Sequence, residues 1–421
     1  MPTSAQAPAV PRLTYLRIKN YRALRDVEFR DLTPLTVLIG PNGSGKSTVL
    51  DALSFLGEAV SGDLRKAWNS RNGFQGIGTQ GQEGDISFEL GFIFKERYLL
   101  YSIEFCEGEK DSAVQANISH EKFEQILPVY QLVFEGVIQP NESNTNEKFS
   151  RWLKGRYTKK NGQIGELPMS AIYAFIGGMA GMRGFQRHPL TEAADYIRSF
   201  IVDYRHINLV GSNLKGYSDK GASPWLSSNG DDLPNVLYYL HGNHPKLLNK
   251  IIKKLSSWVP NFKGVVVEIA SDKRILLRFK DDILEETLTA QYISSGTMRL
   301  MALLTLLYEP IQSMSIGIEE PENELPPQLL YLLAEELIKT TETRQLLVAT
   351  HSPFLVDALQ PEQVWILHRG ADGYTHATRA ADIPNVKELV EDGSPLGYLW
   401  SSNFFSVGNP LGPRSTSADA R

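Results

Sequence analysis

The run Gly40-Pro41-Asn42-Gly43-Ser44-Gly45-Lys46-Ser47 stands between an unbroken apolar stretch, Leu35 to Ile39 (LTVLI), and a segment from Thr48 to Val60 that sets Val49, Leu50, Leu53 and Leu56 at helical spacing. A wholly apolar short run reads as a strand buried on both faces, so the local order is strand, glycine-rich loop, helix. That order fits the phosphate-loop pattern position by position. Glycines let the backbone fold tightly enough to aim its N–H groups at phosphate oxygens, and the following helix adds its positive end. Lys46 would then reach the β- and γ-phosphates as a point charge, and the Ser47 hydroxyl would ligate Mg²⁺, with Thr48 closing the binding segment.

Such a loop needs acidic partners, because Mg²⁺ takes oxygen ligands and an attacking water needs a base. Met314 to Ile318 (MSIGI) reads as a buried strand that ends in Glu319-Glu320-Pro321-Glu322. This puts two carboxylates at a strand's C-terminal end, where α/β nucleotide sites form. We assign Glu319 to the Mg²⁺ shell and Glu320 to polarising the water. The plainer reading of the same residues is an acidic helix start. Leu346 to Ala349 forms another buried strand and delivers Thr350-His351-Ser352-Pro353, which places His351 as a γ-phosphate sensor.

The rest of the chain frames this site. Leu13 to Ile18 and Ala23 to Phe29 alternate like paired strands, and Ile86 to Phe94, Tyr98 to Phe105 and Tyr130 to Val137 suggest an antiparallel meander. Gln139 to Glu166 is polar and basic and reads as an exposed loop. Helical periodicity returns at Ala193 to Val202 and at Val236 to Trp258, broken by Gly242 and Pro245; a final α/β portion begins near Gly264. The domain reading is a disordered leader (1–12), an N-terminal lobe with the phosphate loop and meander (13–140), an inserted loop and helical lid or arm (141–263), a C-terminal lobe (264–407) and a disordered tail (408–421). With 43 Lys plus Arg against 48 Asp plus Glu, a uniformly basic nucleic-acid coat is excluded. The lone Cys106 excludes a disulfide framework and a Cys-rich zinc site. The longest uncharged apolar stretch, Leu167 to Met182, is too short to span a bilayer. A cytoplasmic protein without a membrane partner is expected.

The blocks LRIKNYRALRDVEF, GPNGSGKST, IEEPENE and ATHSPFLVDAL occur in that order, and with them the chain resembles the ABC-type ATPases of the RecF/SMC/OLD branch, the predicted ATPases grouped as AAA15/AAA21. The resemblance implies an α/β fold: an ABC-type P-loop ATPase head with an antiparallel β subdomain and an inserted, mainly helical region. It implies ATP and Mg²⁺ as ligands, and it makes Tyr292-Ile293-Ser294-Ser295-Gly296-Thr297 the signature motif. Ser294 and Gly296 would touch the γ-phosphate bound by the opposite subunit of a homodimer or higher even oligomer. From chemistry alone, Ser-Ser-Gly before the helix MRLMALLTLL is a good N-cap and anion site. Glu319 replaces the usual Mg²⁺-shell aspartate, and Pro326-Pro327 replace a His-Pro pair. Of the candidates for the Mg²⁺-sensing glutamine, Gln75, Gln80 and Gln82, we favour Gln75. OLD nucleases continue into a metal-dependent nuclease domain, and no acidic cluster resembling that site follows His351. The implied function is an ATP-hydrolysing head whose cycle controls an effector, such as a nuclease on a separate chain, or duplex DNA, in anti-phage defence or DNA repair. The alternatives are a nucleotide-gated scaffold with negligible turnover and the ATPase subunit of a transporter.

Two basic stretches carry two readings each. Arg151, Lys154, Arg156, Lys159 and Lys160, interleaved with Trp152 and Tyr157, suit either phosphate contact with base stacking or an ordinary solvated loop. Lys246, Lys250, Lys253 and Lys254 lie opposite Leu248, Ile251, Ile252 and Leu255, as on an amphipathic surface helix or a nucleic-acid contact. No heptads long enough for a coiled coil separate the motifs.

Overall fold

The computed structural model describes residues 12–94, 97–110, 113–126, 130–137, 154–159, 164–166, 189–218, 221–283 and 285–408. The chain opens with β1 (Arg12–Tyr21), β2 (Leu24–Arg30) and β3 (Leu35–Ile39), followed by helix α1 (Lys46–Glu58). Next come β4 (Ile86–Phe94), β5 (Arg97–Lys110), β6 (Ala113–Ile126), β7 (Tyr130–Val137), β8 (Lys154–Lys159) and β9 (Ile164–Glu166). Helix α2 (Pro189–Val202), β10 (Arg205–Ile207), α3 (Leu233–Asn243), α4 (Pro245–Trp258), β11 (Phe262–Ile269), β12 (Ile275–Asp281) and β13 (Leu288–Thr289) follow. The C-terminal part holds α5 (Ser295–Leu307), β14 (Ser315–Glu319), α6 (Pro327–Thr340), β15 (Gln345–Ala349), β16 (Val364–Arg369) and β17 (Thr375–Arg379).

Three sheets result. A six-stranded sheet runs β10-β14-β15-β3-β16-β17, parallel except for the last pair. Every residue of β3 and β15 is buried, because this sheet is covered on both faces. Alternation divides their side chains: Leu38, Leu347 and Ala349 join one core, while Leu35, Val37, Leu346 and Val348 join the other. The first core lies between the six-stranded sheet and an eight-stranded antiparallel sheet of order β2-β1-β4-β5-β6-β7-β8-β9. Helix α1 fills that space, with Phe55 meeting Tyr21, Phe88, Phe105 and Trp68 at ring-centroid distances of 5.3–6.4 Å. The second core packs α3, α4, α5 and α6 with the three-stranded sheet β11-β12-β13.

Three features differ from the sequence reading. Strand β6 is absent from that reading because AVQANISHEKFEQI has no continuous apolar run; it becomes a strand through pairing with β5 and β7 on its two sides. The stretch read as an exposed polar loop contributes β8 and β9, which extend the meander, so Lys154, Arg156 and Lys159 lie on a strand. Arg151, Trp152 and Lys160 lie outside the described residues, as do the leader up to residue 11, the tail from residue 409 and the whole Leu167 to Met182 stretch. Third, β10 falls inside the segment read as an inserted lid, yet it pairs in parallel with β14 as an edge strand of the six-stranded sheet. A three-residue strand leaves too little periodicity to find in sequence.

The helical reading of Val236 to Trp258 resolves into α3 and α4, with Pro245 opening the second helix where its missing N–H costs nothing. Of the four lysines on α4, Lys250 lies 4.4 Å from the Tyr308 ring and Lys254 pairs with Glu336 at 2.5 Å. Half of that basic face is therefore engaged within the chain. Among the described residues no helix is long and apolar enough to cross a membrane.

Candidate nucleotide site

The C-terminal ends of β3, β14, β15 and β10 emerge side by side, because all four strands run parallel in one sheet. Residues far apart in sequence therefore converge. Beyond β3 the loop turns at Gly40, whose φ of 143° and approach to the Leu367 carbonyl leave no room for a side chain: a Cβ there would sit 2.0 Å from that oxygen. The hairpin joining β16 and β17 braces the loop, with Arg369 Nε donating to the Gly43 carbonyl at 2.8 Å and Thr375 Oγ1 to the Ser44 carbonyl at 2.9 Å. Asn42 and Gly43 are exposed, Pro41 and Thr48 half-buried, and Ser44 and Gly45 buried. The Ser44 hydroxyl is buried without a hydrogen-bond partner, an orphan that a phosphate oxygen would satisfy. Lys46 Nζ donates to the carbonyls of Gly40 and Pro41 at 2.8 and 3.1 Å. Burial lowers this ammonium to about 8, against the opposing pull of Glu320, Glu322 and Glu319.

The Ser47 hydroxyl donates to Glu319 Oε2 at 3.0 Å. One hydroxyl and one carboxylate oxygen beside a phosphate loop form the hard, oxygen-only donor set that Mg²⁺ takes, with substrate phosphates completing it. Among the described residues no three His, Cys, Asp or Glu side chains cluster as a self-sufficient metal site. The donor set fits a cation that arrives with the nucleotide. Burial pushes the Glu319 carboxyl up, but hydrogen bonds with His206 and Ser47 outweigh it and hold the group below the usual carboxylate range.

Glu320 occupies the left-handed region with φ of 42°, uncommon for a residue with a Cβ. Three contacts hold it there: its N–H donates to the Ala349 carbonyl at 2.8 Å, its carbonyl accepts from Arg299 at 2.6 Å, and its carboxylate accepts from Asn323 Nδ2 at 2.6 Å. His351 Nε2 lies 3.7 Å from Glu320 Oε1. Burial and then the Lys46 charge hold the His351 imidazole below its ordinary value, against the pull of Glu320 and Glu322.

Lys46, Ser47, Glu319, Glu320 and His351 thus form one constellation, joined by three residues that sequence reasoning passed over. Glu322 Oε1 accepts from Thr350 Oγ1 and from the His351 N–H, both at 2.7 Å, and so pins the turn that carries the histidine. Arg299, 2 % exposed, donates to the carbonyls of Leu209 and Glu320. His206 on β10 lies 2.7 Å from Glu319 Oε1. A lone arginine inside the apolar helix MRLMALLTLL was a visible signal, as was the third acid of EEPE; His206 had none, since only strand pairing brings it near.

Ser294 and Gly296 make their contacts apart from this constellation. Ser294 caps α5, its hydroxyl accepting from the Thr297 N–H at 3.1 Å, and a Cβ at Gly296 would sit 2.5 Å from the Glu324 carbonyl. Ser294 is exposed on the surface. Gln75 lies exposed on a short helix, Gly73–Ile77, while the contacts of Ser47 and Glu319 go to each other and to His206.

Parts of the chain are similar to known proteins. Residues 12–161 match the family described as "AAA ATPase domain", and residues 206–357 match the family described as "AAA domain, putative AbiEii toxin, Type IV TA system". A segment of 63 residues, 15% of this chain, is 41% identical to the OLD nuclease of Thermus scotoductus and spans 10% of that protein's length. Among solved structures, the SMC head domain from Thermotoga maritima aligns with a TM-score of 0.40 at 15% identity, covering 87% of this chain and 98% of that one. An SMC head bound to the C-winged helix domain of ScpA aligns at 0.46 and 12% identity, covering 87% and 97%. The phosphate loop, the acidic strand end and the two family matches together support a P-loop ATPase that is similar to the ABC/RecF/SMC/OLD-like ATPases.

Proposed function

We propose that the chain binds ATP on Gly40 to Thr48, hydrolyses it, and uses the cycle to control a partner. The observation that carries this reading is the convergence of Lys46, Ser47, Glu319, Glu320 and His351 at neighbouring ends of parallel strands. Loop amides, the Ser44 hydroxyl and Lys46 hold the phosphates. Ser47 and Glu319 hold Mg²⁺, which when bound neutralises charge on the phosphate oxygens. Glu320 orients and deprotonates the attacking water, while His351 is placed to donate a hydrogen bond to the γ-phosphate. Ser294 and Gly296 act in trans: from the start of α5, where Ser294 is exposed, they meet the nucleotide of a second copy in a head-to-head dimer. The controlled partner is an effector on another chain, a nuclease by kinship with the OLD proteins, or duplex DNA, in a setting of anti-phage defence or DNA repair.

Two variants test the chemistry. Lys46→Ala removes a buried counter-charge and should abolish ATP binding, whereas Glu320→Gln should bind ATP and turn it over at least about 100-fold more slowly. Wild-type turnover in Glu320→Gln would remove that carboxylate from the mechanism. Mixing Ser294→Arg and Lys46→Ala chains, each inactive alone, tests the dimer, because a mixed pair retains one intact composite site. Mixed dimers seen by sedimentation without returning activity would reject a site shared in trans.

A further inference from the structure

We propose that His206 is a positioning residue for the metal shell: it fixes the Glu319 carboxylate so that one oxygen stays turned toward Ser47, and the edge strand β10 exists in this sheet to bring it there. The inference rests on the ATPase reading above and assigns a role that none of the sequence motifs covers.

The geometry carries it. Glu319 is bonded at both oxygens, Oε2 accepting from the Ser47 hydroxyl at 3.0 Å and Oε1 meeting His206 Nε2 at 2.7 Å. A carboxylate held at one oxygen swings about its last torsion, which is broad. Held at both, it is fixed. His206 is itself held by pairing, since it lies opposite Gly317 in the parallel ladder of β10 and β14, two residues short of Glu319. Its neighbours anchor the strand further: Tyr204 donates to the Leu50 carbonyl at 3.2 Å, and Arg205 pairs with the buried Glu309 at 2.5 Å. Three consecutive residues thus tie one short strand to α1, to the end of α5 and to the acidic strand end. Imidazole is a poor ligand for Mg²⁺ and a good partner for a ligating carboxylate, and partners of this kind typically change metal affinity 10–100-fold when removed.

The same contact needs the length of a glutamate at this position. Shortening the side chain by one carbon–carbon bond, about 1.5 Å, would leave it unable to reach Ser47 and His206 together. Length and histidine belong to one device.

The experiment is a Mn²⁺ titration followed by electron paramagnetic resonance, with ATP present, on wild type, His206→Ala, His206→Gln, Glu319→Asp and the double variant His206→Ala/Glu319→Asp. Binding of a fluorescent ATP analogue in EDTA is measured alongside. His206→Ala should weaken Mn²⁺ binding at least tenfold while leaving metal-free nucleotide binding unchanged. His206→Gln, whose amide nitrogen can occupy the place of Nε2, should recover most of the loss. In the Glu319→Asp background, removing the histidine should add less than threefold, because the contact is already broken. Equal Mn²⁺ affinity in wild type and His206→Ala overturns the inference alone. So does a loss that is fully additive with Glu319→Asp, or one that His206→Gln does not recover. A wild type that binds no nucleotide overturns the ATPase reading itself.

Discussion

The six-stranded and eight-stranded sheets share a hydrophobic core, yet they do different work. In the six-stranded sheet parallel strands send all their C-terminal ends to one side, so a loop, two acids and two histidines from β3, β14, β15 and β10 meet without long connections. In the antiparallel sheet neighbouring ends alternate, and among the described residues no such convergence occurs. Its contribution is the aromatic wall of Tyr21, Phe88 and Phe105 against which Phe55 of α1 is packed. Chemistry sits where strand direction concentrates termini, and the second sheet keeps the phosphate-loop helix in place. Substitutions in the first sheet should therefore damage function together with stability, and substitutions on the outer face of the second should touch stability alone.

The largest effect is expected at Gly40. Gly40→Ala combines a backbone conformation that side chains avoid with a carbonyl oxygen 2.0 Å from the new methyl, and that oxygen belongs to backbone that cannot turn aside. A loss on the order of 3 kcal/mol or more, with ATP binding gone, should appear in denaturant unfolding and nucleotide titration. A stable, ATP-binding Gly40→Ala protein would mean the loop is less tightly braced by Leu367 than the geometry says.

Arg299 comes next. Arg299→Met keeps much of the side-chain volume but leaves the carbonyls of Leu209 and Glu320 without their donor. Roughly 2–4 kcal/mol should be lost. Because Glu320 sits at φ 42° partly through this bond, turnover should fall further than ATP affinity. Comparing kcat with the binding constant separates the two: a stable variant with unchanged kcat would leave Arg299 no part in holding the catalytic turn.

How much was readable beforehand follows the same division. β3, β14 and β15 were legible because a strand covered on both faces is mostly apolar, and each motif follows its strand directly in sequence. β6 was not, since its polar sequence becomes a strand only through its two neighbours. That Ser47 and Glu319 lie near each other could be expected from residue type and strand order, and they meet at 3.0 Å. His206 could not, because its approach to Glu319 depends on a pairing between segments 113 residues apart. Local pattern reveals what a strand buries and what its end displays, but not which strand lies beside it.

The smallest effect should come from the outer face of the antiparallel sheet, where Arg17 grips Asp26 through two bonds of 2.8 Å with Glu89 3.8 Å away. The Arg17 hydrogen bonds hold the Asp26 carboxyl below its ordinary value, although burial opposes them. A carboxyl whose folded value is depressed contributes stability that is fully present above its unfolded value, near 3.9, and is lost as pH falls through the folded one. The side chains are 31% and 45% exposed, so water and salt screen most of that attraction and the contribution should stay within about 1 kcal/mol. Arg17→Ala should accordingly be slightly less stable than wild type at pH 7, the gap narrowing in high salt and closing as pH falls below the unfolded carboxyl's value, with ATP turnover unchanged. Unfolding curves across pH, read beside an ATPase assay, check both halves. A loss of turnover in Arg17→Ala would show that the outer face of the antiparallel sheet reaches the nucleotide site after all, and the division of labour between the two sheets would have to be redrawn.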